Sequence, residues 1–542
     1  MSDKRLISKS AYLIYRQCPK YFWYYINDRK SIPEHDQRAK FNFKIGHITG
    51  KLAKLYHSDG IEADCNGSIE ENLQRTKQLL GLGRPVFEAG FLAEAGKTSG
   101  GAPLNIYARA DILVPVDGTR AWDIIEVKSS TGVKAINLSD VAFQKYCYMQ
   151  AGLDIRNCYV MHINSSYVMN GRLDPYGIFR FTDVTEEADK IMPHIKNDLK
   201  QMALVMASER APSTGVGKYC DSPFNCPLKT VCWENVSDSS IFYLYSLTKK
   251  TARRMAECGI GHIYEIPESF PGINPKQRIQ IECVKKSQSW TDRAAIKEFI
   301  KGIEYPLYFL DFETFASPFP LIEGTRPYQA IPFQFSLHIV ETPESVPRHH
   351  SFLADGKSDP RQKLSEALMK KFGFVPGDDG RSFKGSLIVY NESVERSILK
   401  DLAAFDPGNE GWIFRISGRI IDLFDPFKNF YFYSVLQKGS ASVKKVLPAL
   451  TEKSYSEMAI TNGDIASITF LSGSTLWKDF IYENNLGTIN GKSETDLKAC
   501  GNMKDEMLMQ QTRENLEQYC RLDTEGMYHI LEKLKEIVRI CT

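Results

Sequence analysis

A chain of 542 residues is too long to be organised around one hydrophobic core, so it must fold as several. Three blocks separate by pattern. Residues 1–237 alternate helical patterns with β-rich runs such as WDIIEVKSS (122–130) and NCYVMHINSSYV (157–168). Residues 238–300 read as helical and charged, and LTKKTARRMAECGIGHIYEIP (247–267) predicts a short helix, a glycine turn and a second helix. Residues 301–542 open on an apolar strand and end on the helical run NLEQYCRLDTEGMYHILEKLKEIV (515–538). GTINGKS (487–493) has three residues between its glycines where a phosphate-binding loop has four, so it reads as a surface loop.

Lys plus Arg is 68 against 66 Asp plus Glu, a formal charge of +2. That balance neither announces a nucleic-acid binder nor excludes one, because acidic metal sites offset a local basic groove. No stretch approaches the ~20 apolar residues of a membrane span. MSDKRLISKS lacks a signal-peptide core. A cytoplasmic protein with no membrane partner is expected. Its 12 cysteines are then more consistent with metal ligands and buried thiols than with a disulfide framework.

The stretch LYFLDFETF (307–315) places Asp311 and Glu313 two apart on a strand, hence on one face. Adjacent carboxylates repel unless one is protonated or a cation sits between them, and Mg²⁺ or Mn²⁺ accepts such hard oxygen ligands. A second apolar strand leads to Asn391 and Glu395, and YCRLD (519–523) puts Tyr519 and Asp523 one helical turn apart. In this order and spacing, residues 301–542 resemble the DnaQ-like 3′→5′ exonucleases of the DEDD class, tyrosine subtype. The resemblance implies an RNase H-like fold, with Asp311, Glu313, Glu395 and Asp523 holding two divalent ions and Tyr519 orienting or deprotonating the attacking water. Glu395 stands where that family usually has Asp.

YARADILVPVDGTRAWDIIEVKSS (107–130) reads as a β-hairpin carrying Asp111 on its first strand and Glu126 and Lys128 on its second. Acid, acid and lysine on adjoining strands suit metal-dependent phosphodiester hydrolysis, although an ordinary cross-strand salt bridge has the same pattern. The helix pattern that follows carries Gln144 and Tyr148 on one face. Together these residues resemble the RecB-like PD-(D/E)xK nucleases. The resemblance implies a restriction-endonuclease-like core with catalytic Asp111, Glu126, Lys128 and Gln144, and with Glu88 as a further metal-side acid. Gly50 stands where many of those nucleases carry a metal-binding histidine, and His47 reads as a surface or packing residue.

Cys220, Cys226 and Cys232 lie six apart, and Cys18 stands alone near the start. Four thiolates could hold Zn²⁺ or an iron–sulfur cluster. One cysteine before the core and three after it resemble the iron–sulfur RecB-like nucleases, which implies a [4Fe–4S] staple with zinc as runner-up. The last spacing here is C-x₅-C-x₅-C, where those proteins usually have C-x₂-C-x₅-C.

The combined expectation is an α/β multidomain protein. It has a PD-(D/E)xK nuclease with four cysteines at 1–237, a helical connector, or helical-hairpin DNA-binding element, at 238–300, and a DnaQ-like exonuclease at 301–542. The function implied is metal-dependent hydrolysis of DNA, at ends or in single strands. A nucleic-acid-binding scaffold with one inactive site and an RNA 3′→5′ exonuclease are the rivals.

Overall fold

The computed structural model describes residues 6–63, 68–98, 100–234, 236–378, 380–484, 486, 488–489, 492–493 and 503–539. It is a mixed α/β protein of two compact units. One comprises Met1–Asn235 and Ser317–Gln329, the other Val236–Ala316 and Ala330–Thr542. The charged block 238–300 is therefore part of the second unit rather than a body of its own.

The first unit is built on a seven-stranded mixed sheet. Its strands are β1 (Leu6–Ser8), β2 (Ile61–Glu62), β3 (Val86–Lys97), β4 (Pro103–Pro115), β5 (Trp122–Lys128), β6 (Ile155–Ile163) and β7 (Phe179–Asp183). The order is β2-β3-β4-β5-β6-β7, with β1 beside β4. β4 and β5 are antiparallel, as the hairpin pattern predicts, and β5 and β6 run parallel. Among the described residues the sheet is accompanied by α1 (Lys9–Gln17), α2 (Pro19–Asn27), α3 (Gln37–Lys54), α4 (Ile69–Leu80), α5 (Ala135–Gln150), α6 (Thr185–Ala207) and α7 (Lys229–Glu234). α5 is apolar on most of its circumference, which suits a helix packed between sheet and helix: Phe143, Cys147 and Tyr148 join the core with Ala108, Ala110, Ile195 and Met202. The segment 317–329 belongs here through Met169, whose N–H donates to Thr325 O at 3.0 Å, and through Tyr328, whose hydroxyl donates to the carbonyl of Ser129.

In the second unit, α8 (Lys249–Glu257), α9 (Pro275–Lys286), the short strand β8 (Trp290–Thr291) and α10 (Arg293–Lys301) precede the sheet. The expected second helix of 247–267 is a single 3₁₀ turn, Ile263–Glu265. Pro267 holds Ile266 extended and ends the helix after that turn. The five-stranded sheet has the order β11-β10-β9-β12-β13. These are β9 (Leu307–Phe315), β10 (Ile331–Val340), β11 (Arg348–Leu353), β12 (Ser386–Val389) and β13 (Ile420–Asp422). β9 is central, antiparallel to β10 and parallel to β12, which is parallel to β13. α11 (Arg361–Lys371), α12 (Glu392–Phe405) and α13 (Glu410–Ser417) supply the core of one face. After α14 (Asp425–Lys428) come α15 (Val443–Leu450), α16 (Gly463–Gly473), α17 (Thr475–Glu483) and the C-terminal helix Met503–Arg539. Of the loop 487–493, Thr488–Ile489 and Lys492–Ser493 form a short antiparallel pair. Gly487, Asn490 and Gly491 lie outside the described residues. Among the described residues, no helix is long and apolar enough to cross a membrane.

Candidate active sites and a cysteine cluster

The parallel run of β9, β12 and β13 brings their carboxyl ends to one edge, the place where open α/β sheets bind ligands. β12 pairs with β9 only as far as Phe309, so Asp311 and Glu313 extend past it at that edge. After β12 the chain turns through Asn391, which has a left-handed φ of 75°, into α12, whose first turn carries Glu395. The C-terminal helix is fastened to the same face. Gln334 Nε2 donates to Leu516 O at 3.0 Å, and Ser336 Oγ and His338 Nδ1 meet Thr524 Oγ1 at 2.7 and 2.8 Å. Gln334 and Ser336 are the residues paired with Glu313 and Asp311. These bonds hold Tyr519, Cys520 and Asp523 beside the two acids.

The acids are crowded, with Glu313, Glu395 and Asp523 buried and Asp311 half-buried. Burial, then Asp523, Glu313 and Glu395, push the Asp311 carboxyl well above the usual range. Burial and then Asp523 push Glu313 up to about 8. Glu395 is raised to about 8 by burial, with Asp422 adding, and its Oε2 is buried without a hydrogen-bond partner. Burial raises Asp523 to about 6 against the pull of Tyr455, Lys444 and Tyr519. Tyr455 O–H donates to Asp523 Oδ1 at 2.6 Å. Tyr519 is held protonated by burial and by Asp523 and Glu313. Lys444, on α15, lies over the Tyr519 and Tyr455 rings at 5.1 and 5.5 Å, and burial lowers its pKa although Asp523, Glu313 and Asp311 oppose that. The five expected residues of this unit therefore meet in one place. Tyr455, Lys444, Cys520 and Asp422 join them without having been singled out from sequence. A buried acid cluster with an orphaned carboxylate oxygen suits divalent cations with oxygen ligands.

In the first unit, pairing of β1 with β4 brings the start of α1 to β5, and Lys9 Nζ reaches both oxygens of Glu126 at 3.0 and 3.2 Å. Lys128 Nζ lies 2.5 Å from Glu126 Oε1 and 2.8 Å from Asp140 Oδ2. Gln144 Nε2 donates to Glu126 Oε2 at 2.7 Å and to Asp140 Oδ1 at 2.9 Å, while its own Oε1 is buried without a partner. Asp111 Oδ2 accepts from Val127 N at 2.7 Å. Burial alone would lower the pKa of both lysines, but the surrounding acids raise both above the ordinary value, so both are ammonium ions. Glu126 is still pushed up to about 7, by burial and then Asp111 and Asp140. Asp140 is held low, because Lys128 and Lys9 outweigh its burial.

Lys9 and Asp140 were not read from sequence. Asp140 could have been, since 140, 144 and 148 are successive i, i+4 positions of α5. Tyr148 serves the scaffold: its hydroxyl donates to Ala89 O at 2.5 Å and accepts from Ala110 N at 2.8 Å, next to Glu88, whose φ is 54°. Glu88 is paired with Lys54 at 3.1 Å and Arg109 at 3.0 Å. It is near enough to Asp111 to raise that carboxyl.

The four cysteines converge on one small cavity, which Tyr219 and Leu228 also line. Cys18 sits between α1 and α2, ending one and capping the other ahead of Pro19. Gln17 Nε2 donates to Tyr219 O at 2.9 Å and Phe224 O at 2.6 Å, tying that junction to the Cys220 turn. Burial and then the neighbouring sulfurs push Cys226 up to about 12. Among the described residues, one ligand atom each from Asp311, Glu313 and Cys520 lie within 4.8 Å of one another.

Residues 308–442 match a family described as a domain of unknown function, DUF2779. No curated protein matches the chain. A solved structure titled "Crystal structure of SSO0001" aligns at 13% identity, over 43% of this chain and 88% of its own, with a TM-score of 0.24.

Proposed function

We propose that the chain is a metal-dependent nuclease whose second unit is a DnaQ-like 3′→5′ exonuclease and whose first is a RecB-like PD-(D/E)xK domain stapled by an iron–sulfur cluster. The observation that carries this reading is the crowding of carboxyl groups around Asp311. Four carboxyls crowd together there, with Glu313, Glu395 and Asp523 buried and Asp311 half-buried, and Lys444 is a cation that acts on Glu313 and Asp523. Divalent ions held by Asp311, Glu313, Glu395 and Asp523 would supply Lewis-acid activation of water and stabilise the leaving oxygen. Tyr519, kept protonated in the metal-free cleft by burial and the neighbouring acids, would donate a hydrogen bond to position water or a phosphate oxygen. Lys444 stands ready to meet phosphate charge.

The first unit favours a second reading for its own site. There the two acids are already matched by Lys9 and Lys128, and Lys9 covers the Glu126 oxygens that a metal would use. Such a site binds a phosphate backbone through its ammonium groups without cutting it.

The deciding experiment is digestion of 5′-labelled single-stranded DNA, with a matched RNA in parallel, in Mn²⁺. Wild type is expected to give a stepwise ladder that Asp311→Asn abolishes, by about a hundredfold or more in rate. Cleavage lost in Lys128→Ala instead would move the chemistry to the first unit. Cleavage that appears or rises in Lys9→Ala would show that Lys9 restrains that site. Intact DNA with digested RNA would change the substrate class, and two intact polymers would end the nuclease reading.

A further inference from the structure

The acid cluster of the second unit includes a sulfur. Cys520 is fully buried on the C-terminal helix, with its Sγ 3.7 Å from Asp311 Oδ2. One ligand atom each from Asp311, Glu313 and Cys520 lie within 4.8 Å of one another. The sulfur–oxygen edge of a tetrahedron around zinc, with Zn–S and Zn–O bonds of ordinary length, is about 3.6 Å. The observed separation therefore matches that edge without any movement of strand or helix. A second observation points to a cation here independently of the thiol: Glu395 is 2% exposed, close enough to act on Asp311, and its Oε2 has no hydrogen-bond partner.

We infer that Asp311, Glu313 and Cys520 form a three-ligand site for a thiophilic divalent cation, Zn²⁺ or Co²⁺, within the cleft that otherwise takes Mg²⁺ or Mn²⁺. Hard ions use the carboxylates alone, because Mg²⁺ prefers oxygen ligands. A borderline-soft ion gains the sulfur as well. The thiol proton leaves to solvent as the sulfur–metal bond forms, so such an ion releases one proton more than a hard ion held by the carboxylates alone. Zn²⁺ would then hold the cleft against Mn²⁺ instead of serving as its substitute. The inference rests on the reading of this cleft as a cation site and is independent of whether the bound ion cuts a phosphodiester.

The test is Co²⁺ titration of the full chain, followed by near-ultraviolet sulfur-to-metal charge-transfer absorption. Cys520→Ser and Asp311→Asn are compared with wild type. Absorption from the four cysteines of the first unit is common to all three proteins and cancels in the difference spectra. The expected result is a band present in wild type and missing from both variants, with Zn²⁺ competing it away. Zn²⁺ affinity at this site is expected to fall about tenfold or more in Cys520→Ser. Equal circular dichroism spectra establish that each variant is folded, and Cys520→Ala replaces Cys520→Ser if the serine protein is not. If Co²⁺ binds the cleft equally in wild type and Cys520→Ser with no difference band, the thiol is only a hydrogen-bond donor to Asp311 and the inference is overturned. If wild type takes up no more Co²⁺ or Mn²⁺ than Asp311→Asn, the inference and the cation-site reading both fall.

Discussion

Asp311 is legible from sequence because strand geometry makes period-two neighbours share a face, and its partner Glu313 follows directly. Lys9 is not, since it lies 117 residues from the Glu126 it contacts and nothing local marks it. Cys520 adjoins Tyr519 in a motif quoted for its other members, and its aim at Asp311 depends on how the C-terminal helix is fastened to β10. The charge state of the acids adds a consequence that no motif contains. Glu313 and Glu395 are raised to about 8 and Asp523 to about 6, against about 4 in an unfolded chain. Between those values the folded metal-free protein binds more protons than the unfolded one, so its stability falls as pH rises from 4 toward 8. A divalent ion bound by these acids would replace those protons. Thermal unfolding with Mn²⁺ and with EDTA should therefore show greater stabilisation by Mn²⁺ at pH 8 than at pH 5. Equal shifts at both pH values would mean that the acids do not hold the ion.

At the level of elements, the hairpin β4–β5, the opening strand of 301–542 and the long terminal helix follow from alternation and helical period. The second helix of 247–267 does not form, because a proline outweighs an apolar pattern there. The junction that sets the second site is equally hidden. Gly385 precedes β12 with φ at 93°, and a Cβ there would meet Pro306 O at 2.0 Å. The next residue, Ser386, donates its N–H to that same oxygen at 3.0 Å and pairs with Leu307. This close approach of backbones fixes the register of β12 on β9, and with it the reach from Asp311 to Glu395. Gly385→Ala is expected to cost about 1–3 kcal/mol from backbone conformation alone, before the clash is counted. Urea unfolding monitored by circular dichroism measures it, and a midpoint equal to wild type would show that the strand end can shift freely.

On the scale of the whole molecule, sequence pattern separates two main blocks but does not show that 317–329 belongs with the first unit, because no composition signal marks it. The cysteines bind together residues that are also remote: Cys18 and the 220–232 turns flank nearly all of that unit. If they hold a cluster, iron and acid-labile sulfide should co-purify with the chain under anaerobic conditions. Cys226→Ser should lose both and lower one calorimetric transition while leaving a second in place. An iron-free wild type with zinc bound would reassign the staple, and one with neither would remove it. The segment 317–329 has a different consequence, set by time. A ribosome releases the chain from its N-terminus, yet the first unit lacks a piece of its own until residue 329 has been made. At about 5–20 residues per second, residues 236–329 add roughly 5–20 s during which that unit waits incomplete while the strand bearing Asp311 is already being synthesised.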